Sequence, residues 1–194
     1  MSETARNAEG RPTNRDLAIV VVVCLVMLAA VVTYLVTSNS TSEIRQQSAV
    51  AREAFTSGNL EVALKSAEAA VKAGADDTAT LNLLGQAREA KGDLSGAERA
   101  FGESLRRDPN QPLVLHELAV IAVSRDDLDS AESSLRKALA DDEKLAGSRL
   151  LLADVLAKKG RSDEARAQYE AVLEAAPHGV DLNTVRAKLE ALPR

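Results

Sequence analysis

The residues able to do acid–base, metal or nucleophilic chemistry are few, and their spacing does not suit it. The two histidines, His116 and His178, lie 62 positions apart and have no partner at metal-ligand spacing. Adjacent carboxylates occur at Asp76-Asp77, Asp126-Asp127 and Asp141-Asp142, each between apolar periodic stretches. Aspartate at such places caps helices and solvates turns. The single cysteine, Cys24, follows Val23 inside an apolar run. It reads as a small apolar residue rather than a lipidation site, and it offers no internal disulfide. No glycine-rich phosphate loop is present, and no nucleophile has a visible base. The expectation is therefore a protein that is not an enzyme and needs no metal or cofactor.

What the sequence does contain is a period. Ala63, Ala97, Ala131 and Ala165 stand 34 residues apart, and other columns keep the same register. Four residues on are Ala67, Phe101, Leu135 and Tyr169. Twelve before are the small residues Ala51, Gly85, Ala119 and Ala153, each preceded by Val50, Leu84, Leu118 or Leu152. Five before are Gly58, Gly92, Asp126 and Gly160; twelve after are Ala75, Pro109, Glu143 and Pro177. Small residues let helices approach closely. Glycine takes a left-handed turn at no steric cost, aspartate tolerates it, and proline stops a helix. A fixed period of this length marks a stacked repeat.

Each period reads as one helical hairpin. First helices are expected near 44–57, 78–91, 112–125 and 146–159, second helices near 60–74, 94–108, 128–142 and 162–175. Leu81, Leu84, Arg88, Leu94, Ala97, Phe101 and Leu105 step by three or four along one face. Ser40 and Glu43 read as a capping box for the first helix, with Asp93, Asp127 and Ser162 capping second helices. The run Leu81, Leu84-Gly85, Ala97, Phe101 and Pro109 resembles the tetratricopeptide repeat (TPR) signature. The resemblance covers residues 44–179 in four units: 44–77, 78–111, 112–145 and 146–179. Arg88 stands in place of the usual tyrosine. The third unit lacks the turn glycine and the last proline, and the first has alanine in the aromatic and proline columns. Residues 180–194, with Val185, Leu189 and Leu192 on one side and Arg186, Lys188 and Glu190 facing out, read as a capping helix.

Leu17 to Val36 is uncharged over 20 residues. As a helix it spans about 30 Å, a bilayer core. It is longer than the apolar core of a signal peptide. Arg6, Arg11 and Arg15 precede it, and the next basic residues are Arg45 and Arg52. This bias puts residues 1–16 in the cytoplasm as a tail and places the repeats outside it, periplasmic if the membrane is a bacterial inner membrane. Residues 37–43 read as a short polar linker. The chain has 24 basic and 29 acidic residues, net −5. Nucleic acid is excluded as a partner on that balance.

The expected fold is all-α: a transmembrane helix, a right-handed α-solenoid of four TPR hairpins, and a C-terminal capping helix. The resemblance implies that the first helix of each unit lines a concave groove for a protein partner, either a peptide segment or a subunit of a membrane complex. In that groove fall Asn82, Gln86 and Glu89 from the second unit, His116, Val120 and Val123 from the third, and Leu150, Asp154 and Lys158 from the fourth. Val120, Val123 and Leu150 form an apolar strip. The lysine and asparagine pattern with which some relatives clamp a C-terminal carboxylate is absent. The implied function is a membrane-anchored scaffold or adaptor assisting assembly of a membrane or envelope complex. A constitutive structural subunit and a cytosol-facing targeting receptor are the alternatives.

Overall fold

The computed structural model describes residues 14–193. The tail bearing Arg6 and Arg11 lies outside the described residues. Among the described residues there are nine helices and no strand: α1 (Asn14–Thr56), α2 (Leu60–Lys72), α3 (Thr78–Ala90), α4 (Leu94–Arg107), α5 (Pro112–Ser124), α6 (Leu128–Asp141), α7 (Ala146–Lys158), α8 (Ser162–Ala175) and α9 (Leu182–Glu190). Helices pair as α1–α2, α3–α4, α5–α6 and α7–α8, and each second helix also packs on the next first helix. Alternate helices therefore form two layers, with α1, α3, α5, α7 and α9 on one side.

The turns follow from local chemistry. Gly58, Gly92 and Gly160 sit at φ 79°, 82° and 74°, and Asp126 takes the same left-handed place at φ 59°. Next to three of the four turns a side chain closes the following helix. Asn59, Asp93 and Asp127 accept hydrogen bonds from the backbone N–H of Val62, Gly96 and Ser130. The fourth position in this column is Arg161, which does not cap. Ser162 does not cap α8 either, contrary to expectation: it is the first helical residue, and α8 has no side-chain cap. Asp77 and Asp181 cap α3 and α9. Each aspartate pair thus supplies a helix-terminal group, with Asp142 closing α6 and accepting from the N–H of Lys144.

The alanine ladder lies wholly inside: Ala63, Ala97, Ala131 and Ala165 are each 0% exposed. So are Phe101 and Leu135, and Tyr169 nearly so. A Cβ added to Gly85 would lie 2.6 Å from Cδ1 and 2.8 Å from Cζ of Phe101. Glycine thus suits the place where the Phe101 ring meets the facing helix. The core changes along the chain. Between the first two hairpins it is Ala51, Ala67, Leu84 and Ala100. Phe101, Val114 and Ile121 join the second hairpin to the third. From the third hairpin to α9 one cluster runs unbroken through Leu135, Leu156 and Tyr169 to Val185. Val185 of α9 is fully buried there, and each such large side chain contributes about 1.5–3 kcal/mol.

Two expectations about the N-terminal region are corrected. Residues 37–43 are helical, and α1 runs 43 residues without a break, about 65 Å. Ser40 and Glu43 therefore form no capping box, because no helix starts there. Within this polar helical run the hydroxyls bond carbonyls of the preceding turn. Thr37 donates to the carbonyl of Thr33, Ser38 to Leu35, Thr41 to Thr37 and Ser42 to Asn39. The apolar part of α1 is exposed and long and apolar enough to cross a membrane, with mean hydropathy 2.5 in its most apolar window. Further along, Ile44, Ala51 and Ala54 of the same helix turn into the repeat core.

Candidate partner-binding groove

First helices of neighbouring units touch through one recurring contact. Ser48 Oγ lies 2.9 Å from Thr80 Oγ1, and His116 Nδ1 lies 3.0 Å from Ser148 Oγ. The second pair repeats the first two periods later. Between them, the residue matching Thr80 and Ser148 is Val114, which has no donor. Asn82 accordingly turns away and donates from Nδ2 to Gln111 Oε1 at 2.7 Å, leaving its own Oδ1 buried and unpartnered. Gln111 is fixed in turn by donating to the carbonyls of Ser104 and Asp108. Asn82 and His116 are thus each engaged between helices.

The other expected groove residues separate into two kinds. Gln86 and Lys158 are exposed, and Val120 is 36% exposed. Val123 and Leu150 are half-buried against the C-terminal core, so the apolar strip is narrower than expected. Leu113, one turn before Glu117 on α5, is 65% exposed and belongs to the same helix as Val120. Its position at the second helical residue, straight after Pro112, hid it from the sequence reading.

At the far end α9 lies beside α7. Lys188, expected to face outward, donates to both oxygens of Asp154 at 2.8 and 2.7 Å, and the Tyr169 hydroxyl donates to the same carboxylate at 2.6 Å. Burial, followed by this carboxylate, holds the Tyr169 phenol well above its usual range. Lys188 stands 34 residues after Asp154, so α9 occupies the place of a fifth first helix. A cleft of about 540 Å³ opens there, lined by Val123, Leu151, Asp154, Lys158, Lys188 and Leu192.

Glu89 lies on α3 and Glu117 on α5, close enough for the charge of one to act on the other. Desolvation and then the charge of Glu117 raise the Glu89 carboxyl above its ordinary value. Among the described residues, the other carboxylates that are at least half-buried all have partners. Glu103 pairs with Arg107, Asp142 with a backbone N–H, Asp154 with Lys188, and Glu132 with three cations. Among the described residues, no hydrogen bond or ion pair reaches the side chain of Glu89 or Glu117.

On the opposite edge the units are joined by charge. Lys91, Arg125 and Lys159, one period apart at the ends of the first helices, reach back to the preceding second helix. Lys91 meets Glu61, Arg125 meets Ser95 and Glu98, and Lys159 meets Asp129 and Glu132. At the last junction Arg161 adds two bonds of 2.7 Å to Glu132, and Arg136 a third contact at 2.9 Å. These cations, the Lys159 ammonium foremost, pull the Glu132 carboxyl down to about 2. Arg161 gives up the capping position to do this. Arg88, in the tyrosine place, pairs with Glu68.

Two layers of helical hairpins with an open inner face define a helical-repeat solenoid, a class that binds along its surface. Two family models, each described as tetratricopeptide repeat, match residues 49–112 and 122–189. The chain belongs to the tetratricopeptide repeat family, whose fold is typically a non-catalytic scaffold for protein partners. Solved structures agree in fold. The MamA protein superimposes with TM-score 0.66 at 20% identity over 71% of this chain and 75% of that one. YrrB, a TPR protein with an unusual peptide-binding site, gives 0.61 at 23% over 72% and 74%. TTC0263, a thermophilic TPR protein in Thermus thermophilus, gives 0.59 at 26% over 75% and 80%. No curated protein matches the sequence.

Proposed function

We propose that this chain is a non-catalytic, membrane-anchored adaptor that holds a protein partner in the groove and assists assembly of a membrane or envelope complex. The carrying observation is that one continuous helix is apolar and exposed in its first part and packs into the repeats in its second. Helix α1 is apolar and exposed over residues 21–36 and becomes the first wall of the groove past Ile44. Residues 17–36 cross the bacterial inner membrane with the N-terminus in the cytoplasm, as the basic bias of the tail favours. The repeats then work on the outer side. Gln86, Val120, Leu113 and the cleft beside Asp154 supply the surface. YrrB carries a peptide-binding site on a similar fold, which supports a peptide segment as the bound element. Neither nucleic acid nor an anionic surface fits a chain of net charge −5.

Photo-crosslinking in native membranes tests this reading. A crosslinker at Gln86 or Val120 is expected to capture one protein, and a crosslinker at Ser133 on the outer layer is not. Capture only at Ser133 would overturn the groove. A reporter fused after Arg194 that is active only outside the cytoplasm is expected to be active; silence there, with activity of a cytoplasmic reporter, would reverse the topology.

A further inference from the structure

Leaving a partly buried carboxylate without a counter-charge costs stability, and placing a second one within reach of its charge costs more. Glu89 and Glu117 do both, whereas every comparably buried carboxylate described elsewhere in the chain is paired. The flanks of Glu117 are also unusual. Leu113 lies about one turn before it and Val120 about one turn after it, 65% and 36% exposed in a chain whose large apolar side chains beyond α1 are otherwise mostly covered. Charge is compensated at the next unit, where Lys188 neutralises Asp154, so among the described residues the partly buried carboxylates left without a partner are Glu89 and Glu117. Lys91 and Arg125, which follow α3 and α5 directly, are committed to the opposite edge.

We infer that the groove takes a cationic side chain of the partner, lysine or arginine, between Glu89 and Glu117, with apolar residues next to it in the bound segment lying on Leu113 and Val120. The bound element is thus a basic–apolar peptide segment. This rests on the groove being the docking face, and it names the chemistry of what docks. A lysine ammonium or a guanidinium supplies several donors to the two carboxylates, and an aliphatic neighbour covers the exposed leucine and valine. An acidic segment would add a third negative charge at the same point and be rejected.

The test uses the full chain in detergent micelles and three fluorescein-labelled peptides read by anisotropy. They share the core Leu-Val-Leu and differ in the preceding residue: lysine, glutamine or glutamate. The lysine peptide is expected to bind about tenfold tighter than the glutamine peptide, with the glutamate peptide weakest. In the double variant Glu89→Gln, Glu117→Gln the three peptides are expected to bind alike. That variant keeps its shape and loses a buried repulsion, so its thermal midpoint should match or exceed the parent's, which excludes misfolding as the cause. Equal binding of all three by the parent, or a lysine preference that survives the double variant, would overturn the inference. If binding without charge preference is abolished by Val120→Asp, the groove reading stands and only the cationic residue is lost. If no peptide binds and Gln86 and Val120 give no crosslinks, both fall.

Discussion

At the scale of single residues the chain is governed by contacts that tolerate no extra atom. Gly85 faces the ring of Phe101, and a methyl group there would occupy space the ring already fills. The matching positions, Ala119 and Ala153, carry a methyl group and are fully buried. Gly85→Ala is therefore expected to lower stability by about 1–3 kcal/mol, although glycine in a helix is ordinarily the weaker choice. Thermal denaturation decides it: an unchanged or raised midpoint would show that the ring moves freely. Val114 shows the opposite case, a position where one hydroxyl is missing and Asn82 must find another partner. Both were within reach of the sequence only in part. The small-residue column announced close approach, but which glycine was indispensable depended on the ring across from it. Asn82 and His116 lie on α3 and α5, and their engagement with Gln111 and Ser148 depends on contacts 29 and 32 residues away.

At the scale of elements, turns and caps were legible because they are local. Asp93 and Asp127 act within three residues of themselves, and Asp126 adopts the conformation its column requires. The charged edge was not legible, since a cation at the end of one helix finds its partner about a period earlier. The signal was present in Lys91, Arg125 and Lys159, spaced like the alanines, beside Glu61, Ser95 and Asp129. Glu132 is the centre of that edge at the last junction. Its carboxylate is favoured in the folded chain, so its contribution is complete above the unfolded value near 4.3 and fades as the pH falls toward about 2. Glu132→Gln is expected to cost on the order of 2 kcal/mol at neutral pH and to flatten the loss of stability between those limits. Denaturant melts of parent and variant across that range check it. Curves that stay parallel down to the lowest pH would show that the network does not stabilise the fold. The polar run at 37–43 was misread for a physical reason: Ser and Thr suggest a loop, but their hydroxyls found acceptors one turn back in the same helix.

For the whole molecule, stiffness is the main property. Nothing flexible intervenes between the apolar part of α1 and the first hairpin, and Ile44, Ala51 and Ala54 fix the helix to the repeats. An α-helix turns about 100° per residue. One alanine inserted between Ser38 and Asn39 would swing the repeats by that angle, whereas seven would return them to within about 20° while lifting them about 10 Å. The single insertion is expected to reduce partner crosslinking from Gln86 several-fold, and the sevenfold insertion to leave most of it. Equal yields from both would show that only distance matters. With residues 17–36 embedded as proposed, the groove has a compass bearing relative to whatever packs against α1 in the membrane. A partner that grips both the helix and the groove would meet them at one fixed angle, so the short polar stretch works as a dial whose setting is the number of residues it contains.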